Sequence, residues 1–239
     1  MGADVFMSTV AESGPVPKGR PSKALFIVGA IGCIINTIVA IWFLMATYVL
    51  ITQYQYPLRH SDFSFFSIGN FLLGIGLILA SVGYLGTRLN YGSAAGVAGF
   101  AFSILVSALL GLWFVRDTLE TLATYIWDIS GVYFNFLGVI YPLFFATLIL
   151  WGATHIIIRR LTGTWGLSIA TGIMLILTAV LLLLWINIWI NPSSYYEYGG
   201  SGYLIRRAFS LVWAPLFFIS QILNTTLFFM AKVPESPAT

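Results

Sequence analysis

The most informative stretch of the chain is residues 165–190, WGLSIATGIMLILTAVLLLLWINIWI, which contains no Asp, Glu, Lys or Arg. A helix that crosses a hydrocarbon core roughly 30 Å thick needs about 20 apolar residues. Only helices and closed barrels satisfy every backbone group in lipid. The run lacks the apolar–polar alternation of a barrel strand, so it predicts a transmembrane helix.

Five other segments have the same character. The predicted spans are 24–52, 63–86, 94–115, 131–157, 165–190 and 208–231. Only 8% of the residues are charged, whereas a soluble domain carries about a quarter. We therefore expect an all-α polytopic integral membrane protein, a bundle of six transmembrane helices forming one domain over 24–231. A flexible cytoplasmic leader (1–23) and a cytoplasmic tail (232–239) are expected to flank it.

The positions of Lys and Arg predict the orientation of the bundle, because these residues are enriched in cytoplasmic loops. With the N-terminus inside, seven of the eleven Lys and Arg lie on the inner side. They are Lys18, Arg20, Lys23, Arg88, Arg159, Arg160 and Lys232, against Arg59, Arg116, Arg206 and Arg207 outside. Both termini are therefore expected in the cytoplasm. A single Cys and the lack of a usable glycosylation site favour a prokaryotic cytoplasmic membrane.

Residues 115–129 show a helical period outside the spans. One face carries Val115, Leu119, Leu122, Ile126 and Ile129, and the other carries Asp117, Glu120, Thr121, Thr124 and Asp128. This pattern predicts an outer amphipathic helix between helices 3 and 4, or an extension of span three. A cap over the bundle, a docking site for a partner and a cation site are the alternative roles. The Tyr-, Gly- and Ser-rich loop 191–203 suits either protein recognition or an interfacial tyrosine cluster.

A stripe of small residues runs along span three at every fourth position. It consists of Ala95, Gly99, Ser103, Ser107 and Gly111. Small residues allow close approach of another helix in lipid. The sequence leaves open whether that helix belongs to the same chain or to another subunit.

Two further groups of residues are candidates for binding. Pro142 and Pro215 predict kinks in spans four and six. Near those depths a partly polar outer vestibule is predicted from Asn70, Asn135, Tyr141 and Asn187, with isolated interhelical hydrogen bonds as the alternative. At the inner end of span four a lipid-headgroup site is predicted from His155, Arg159 and Arg160, with the plain positive-inside rule as the alternative.

Several classes of chemistry lack the residues that they need. His60 and His155 are predicted at opposite membrane faces and cannot share one haem, and no His-Glu-x-x-His zinc motif occurs. The spans contain no carboxylate, which disfavours proton- or sodium-coupled transport. We expect no cofactor, no metal site and no catalytic residue. No block of basic residues occurs, so nucleic acid is not an expected partner.

Spans two and three resemble spans four and five at an offset of about 71 residues. The matches include Leu77-Ile78-Leu79 with Leu148-Ile149-Leu150, Arg88 with Arg159, and Gly92 with Gly163. Both units run in the same direction, so this is a candidate parallel repeat of a helical hairpin. Shared composition of two apolar hairpins is the alternative explanation.

These patterns favour a non-catalytic protein, a structural or accessory subunit of a membrane assembly. Its expected partners are membrane lipids and other membrane subunits or copies of itself. The alternative functions are a carrier or channel for a small solute that uses the outer vestibule, and an enzyme that modifies lipid.

Overall fold

The chain folds as an all-helical bundle. A computed structural model describes residues 22–52, 60–122, 130–190 and 201–233, with side chains over 22–45, 48, 68–115, 139–184 and 211–233. The helices are α1 (Lys23–Thr52), α2 (His60–Tyr91), α3 (Ala94–Leu122), α4 (Ser130–Ile158), α5 (Trp165–Ile190) and α6 (Ser201–Met230). Within those ranges no strand occurs, and all six helices are long and apolar enough to cross a membrane. The prediction of a six-helix membrane bundle is confirmed.

Helices α2, α3 and α6 extend well beyond the apolar spans predicted for them, and α3 is helical to Leu122 rather than ending near residue 115. Helix α2 continues to Tyr91 rather than ending near residue 86, and α6 begins at Ser201 rather than near 208. Charged side chains do not stop a helix, because a long side chain can reach polar surroundings from a helix end. Arg88 does so by donating from Nη1 to the Gly92 carbonyl at 2.8 Å.

The α2–α3 turn ends α2 with a specific backbone motif. Gly92 N–H donates to the Arg88 carbonyl at 2.9 Å, and Ser93 N–H donates to the Thr87 carbonyl at 3.4 Å. The bond from Gly92 N–H to the Arg88 carbonyl, four residues earlier, is that of the αL C-cap motif, which requires a left-handed residue, and Gly92 has φ 75°. The Ser93 hydroxyl then accepts from the backbone N–H of Gly96 and caps α3. Gly163 in the α4–α5 turn has φ 71°.

The six helices form a ring in chain order. Each helix packs against its neighbours in sequence, α6 returns to pack against α1, and α2 and α4 also meet across the centre. The α1–α2 contact is the tightest crossing. A Cβ at Gly32 would lie against the Ala80 amide and only 2.6 Å from the Gly76 carbonyl oxygen, and a Cβ at Gly29 would lie 2.6 Å from Gly83 Cα.

Polar groups close the ring where α1 begins and α6 ends. Lys23 Nζ donates to the carbonyls of Phe229 and Ala231 at 2.6 and 2.7 Å, which occupies orphan acceptors of the α6 C-terminus. The Tyr91 hydroxyl donates to the Lys232 carbonyl, and Lys232 N–H donates to the Thr162 carbonyl at 3.1 Å. The C-terminal ends of α2, α4 and α6 therefore meet. We call this the basic end of the bundle, defined by Lys23, Arg88, Arg159, Arg160 and Lys232.

The predicted outer amphipathic helix remains a prediction. The backbone is helical through Leu122 as a continuation of α3, as the extension alternative expects. Residues 123–129 lie outside the described ranges, and so does 191–200 of the Tyr-rich loop.

Candidate functional site

Three side chains form a hydrogen-bonded triangle inside the bundle. Tyr84 Oη lies 2.8 Å from His155 Nε2, which lies 2.9 Å from Asn224 Oδ1. Asn224 Nδ2 donates to Tyr84 Oη at 2.8 Å. All three residues are fully buried. We call this set the polar triangle.

One residue of the polar triangle comes from each of α2, α4 and α6, the three helices that end at the basic end. Tyr84 lies seven residues before the end of α2, about 10 Å along the helix at a rise of roughly 1.5 Å per residue. The polar triangle therefore sits at a fixed depth below the basic end. It ties together three helices that are not neighbours in sequence.

The donor and acceptor chemistry restricts where the protons lie. An amide oxygen only accepts, so the contact with Asn224 Oδ1 requires a proton on His155 Nε2. In the neutral ring His155 Nδ1 is then a bare acceptor. It is buried and has no hydrogen-bond partner among the residues described. Such an unmatched acceptor costs free energy unless a further group reaches it.

Aromatic rings enclose the polar triangle. Trp151 stacks on Tyr84 with ring centroids 4.4 Å apart and an interplanar angle of 8°, and Phe228 meets Tyr84 edge-on at 5.3 Å. Gly99 on α3 provides the space for Trp151, because a Cβ there would lie 2.7 Å from Trp151 Cδ1. The three polar groups therefore bond to one another inside an aromatic shell.

No family model matches this chain, and no curated protein or solved structure is similar to it.

A second polar contact lies farther from the basic end. Asn36 Nδ2 on α1 is 3.5 Å from Gln221 Oε1 on α6, at the limit of a hydrogen bond. Gln221 is three residues before Asn224, so both amides lie on one face of α6. Asn36 Oδ1 is buried without a hydrogen-bond partner in the described part and packs against Gly76. The side of α6 that faces α1, α2 and α4 therefore carries two buried amide side chains, Gln221 and Asn224.

The structure separates the residues of the predicted headgroup site. His155 is fully buried in the polar triangle, whereas Arg160 is exposed and Arg159 is half-buried. Arg159 Nη1 donates to the Ile156 carbonyl at 2.6 Å. His155 thus does not share a surface with the two arginines, although the i, i+4 spacing puts His155 and Arg159 on one helix face. Headgroup binding at Arg159 and Arg160 stays a prediction.

The predicted small-residue stripe on α3 contacts helices of the same chain at several positions. Gly99 lies against Trp151 on α4, and the Ser107 backbone lies against Gly74 on α2. Ser103 and Ser107 are buried, and each hydroxyl donates to the carbonyl four residues earlier. Ala95 is half-buried. Gly111 differs, because no atom lies within 4 Å of a Cβ placed there.

The predicted outer vestibule cannot be assembled from the described side chains. Asn70 and Tyr141 are half-buried, and Tyr141 packs against the core. The side chains of Asn135 and Asn187 lie outside the described residues. The vestibule stays a prediction.

The sequence reasoning missed the polar triangle, although a signal for it existed. Tyr84 and His155 are 71 residues apart, which is the offset of the candidate repeat, and Asn224 follows 69 residues later. Positions about 70 residues apart on three helices that run in one direction thus meet inside the bundle. Gly92 and Gly163, the two left-handed glycines, are also 71 residues apart. Extending the candidate repeat to span six would have pointed to Asn224 as a possible neighbour of Tyr84 and His155.

The described side chains define what chemistry they can support. None is Asp or Glu, and no group of three or more metal-ligating residues occurs among the described residues. The Ser168 hydroxyl, a conceivable nucleophile, lies 2.8 Å from the Thr162 hydroxyl in the α4–α5 turn. The polar triangle offers hydrogen bonds that specify how α2, α4 and α6 pack.

Proposed function

We propose that this protein is a non-catalytic structural or accessory subunit of a membrane protein assembly, and that α3 contacts the partner. The observation that carries the proposal is the exposure of α3. In its most apolar stretch only 28% of the residues are buried, against 39–50% in the other five helices. A helix so lightly covered by its own chain has the most surface to offer another subunit.

The exposed face of α3 has the pattern of a helix–helix seam. Ala94, Ala101 and Ala108 are exposed at intervals of seven residues. Leu105 and Leu112 lie beside them, 53% and 59% exposed. Small residues at a heptad spacing let two backbones approach closely in lipid at a shallow crossing angle. We therefore take the partner to be a transmembrane helix of another polypeptide.

The packing of the centre favours a subunit over the alternative, a small-solute carrier. Leu77, Leu148 and Phe217 are fully buried on α2, α4 and α6. The polar triangle lies nearer the basic end, and its three side chains are fully buried and bond to one another. A carrier would need these side chains to move apart, whereas a subunit benefits from a rigid, filled core.

Photo-crosslinking in native membranes tests the α3 contact. A photoreactive amino acid at Ala101 or Ala108 should give discrete protein adducts, because the partner helix would lie against these positions. Ile173 and Leu177 on α5, both 47% exposed, are matched controls and should give lipid adducts only. Mild solubilisation and mass spectrometry of the intact particle should then find other polypeptides at fixed stoichiometry. Lipid adducts alone at all four positions, with a particle that contains one chain, would contradict the proposal.

We also propose that the basic end faces the cytoplasm of a prokaryotic cell. The positive-inside rule supports the cytoplasmic side, since five of the eleven Lys and Arg are the residues that define this end. The single Cys and the lack of a usable glycosylation site support the prokaryotic membrane.

A thiol probe that cannot cross membranes tests this orientation. Leu161→Cys places an exposed thiol in the α4–α5 turn, while native Cys33 is buried and should give little background. We expect no labelling of Leu161→Cys on intact cells and full labelling after permeabilisation. Thr121→Cys, in the last turn of α3, should behave in the opposite way. Labelling of Leu161→Cys on intact cells would show that the protein has the opposite orientation in the membrane.

A further inference from the structure

Lys232 joins the α4–α5 turn, although 69 residues separate it from Gly163 in sequence. Its backbone N–H donates to the Thr162 carbonyl at 3.1 Å. Its aliphatic stem passes directly over Gly163. A Cβ on that glycine would lie 2.9 Å from Lys232 Cδ and 3.2 Å from Cε. The left-handed glycine thus leaves room for the stem, and the ammonium group is carried to this turn.

Two arginines belong to the same turn. Arg159 and Arg160 directly follow the end of α4 at Ile158, and Arg160 is exposed. Arg159 uses one nitrogen on the Ile156 carbonyl, and a guanidinium carries five N–H donors. Three cationic side chains from α4 and from the end of α6 therefore gather at one turn.

No described carboxylate balances these three charges. Neither Asp nor Glu occurs among the side chains that the structure describes. The nearest acid along the chain after Lys232 is Glu235, which lies outside the described residues. The turn therefore has the charge and donors to hold an anion with several oxygens, such as a phosphate group.

Apolar side chains beside the cations favour a lipid over a free ion. Ile157, Leu161 and Trp165 are 61%, 56% and 59% exposed and lie on or next to the turn. A free phosphate ion makes no apolar contact with such a surface, whereas the acyl chains of a phospholipid cover it. Indole also prefers the headgroup zone.

We propose that Arg159, Arg160 and Lys232 form a binding site for the phosphate of an anionic phospholipid, whose acyl chains cover Ile157, Leu161 and Trp165. The site differs from the headgroup site expected from sequence. His155 does not belong to it, because its side chain is fully buried in the polar triangle. Lys232, at the end of α6, does belong to it. Because the end of α6 also closes the ring against α1, bound lipid would hold that closure in place.

The α2–α3 turn provides a matched control within the same protein. It has the same left-handed glycine and one arginine, Arg88, which donates to the Gly92 carbonyl. A general attraction of the basic end for anionic lipid would involve Arg88 as much as Arg160. A specific site at the α4–α5 turn would not involve Arg88.

Lipid retention on the full-length protein separates these cases. The protein is purified in mild detergent and incubated with phosphatidylglycerol or phosphatidylcholine, and retained lipids are counted by native mass spectrometry. Arg160→Gln and Lys232→Gln should each lower phosphatidylglycerol retention about fivefold, and Arg160→Lys should restore most of it. Arg88→Gln should leave it unchanged, and none of the variants should alter phosphatidylcholine retention.

Four results would overturn the proposal. An equal loss with Arg88→Gln would leave only general electrostatics. Displacement of the lipid by millimolar inorganic phosphate would assign the site to a free ion. A severalfold rise in retention with Glu235→Gln would identify that carboxylate as the resident anion. Unchanged retention in Arg160→Gln and Lys232→Gln, with unfolding temperatures equal to that of the parent protein, would remove the site altogether.

Discussion

Gly32→Ala should destabilise the bundle by about 3 kcal/mol, an overpacking penalty, although the same change in a helix ordinarily stabilises. The added methyl group would meet the Ala80 amide and lie 2.6 Å from the Gly76 carbonyl oxygen. Both obstacles are backbone atoms of α2, so no side-chain rotation relieves the clash. Helices α1 and α2 would have to separate along their tightest crossing. Unfolding of the detergent-solubilised protein by SDS, followed by circular dichroism, measures the loss.

Gly111→Ala is the control for this prediction. It makes the same chemical change in α3, but no atom lies within 4 Å of the new methyl group. Relief from the low helix propensity of glycine should stabilise this variant by up to about 1 kcal/mol. If the two variants had equal effects on unfolding, the close α1–α2 crossing would be refuted.

Removing the hydrogen bonds of the polar triangle should produce the second large effect. His155→Leu leaves Asn224 Oδ1 buried without its donor, which should cost roughly 1–3 kcal/mol. Tyr84→Phe keeps the ring that stacks on Trp151 and removes only the hydroxyl, so about 1 kcal/mol is expected. The same SDS titration reports both losses.

The combination of substitutions distinguishes a coupled network from three separate contacts. Tyr84→Phe, His155→Leu and Asn224→Leu together remove every polar partner at once. The triple variant should therefore lose less stability than the sum of the single variants. Tyr91→Phe is the control, because it deletes a tyrosine hydroxyl that bonds at the exposed basic end. Strict additivity, or an equal loss in Tyr91→Phe and Tyr84→Phe, would count against the network.

The number and approximate position of the helices could be predicted because they depend on local composition. A run of apolar residues such as 165–190 has no alternative to a helix in lipid, and the structure places α5 at Trp165–Ile190. The ends were harder to predict where charge interrupts a run. The predicted span ends at residue 86, two residues before Arg88, whereas α2 continues to Tyr91 and Gly92 then adopts its left-handed conformation.

The candidate sites were harder to predict, because they depend on which helix faces meet. His155 looked like an interfacial residue from its spacing to Arg159, yet its ring bonds to Asn224, 69 residues later. The α3 stripe was visible as a pattern. The glycines that make the closest contact, Gly29 and Gly32, were not singled out, because α1 contains no long series of small residues.

The sequence by itself determined a six-helix membrane bundle, because helix formation in lipid follows from local hydrophobicity and the demands of the backbone. Only the tertiary structure decided that α6 closes a ring against α1, and that Tyr84, His155 and Asn224 meet at its centre. It alone brought Lys232 to the α4–α5 turn. Contacts between distant segments depend on helix rotation and crossing, which steric fit between whole faces determines and no local pattern encodes.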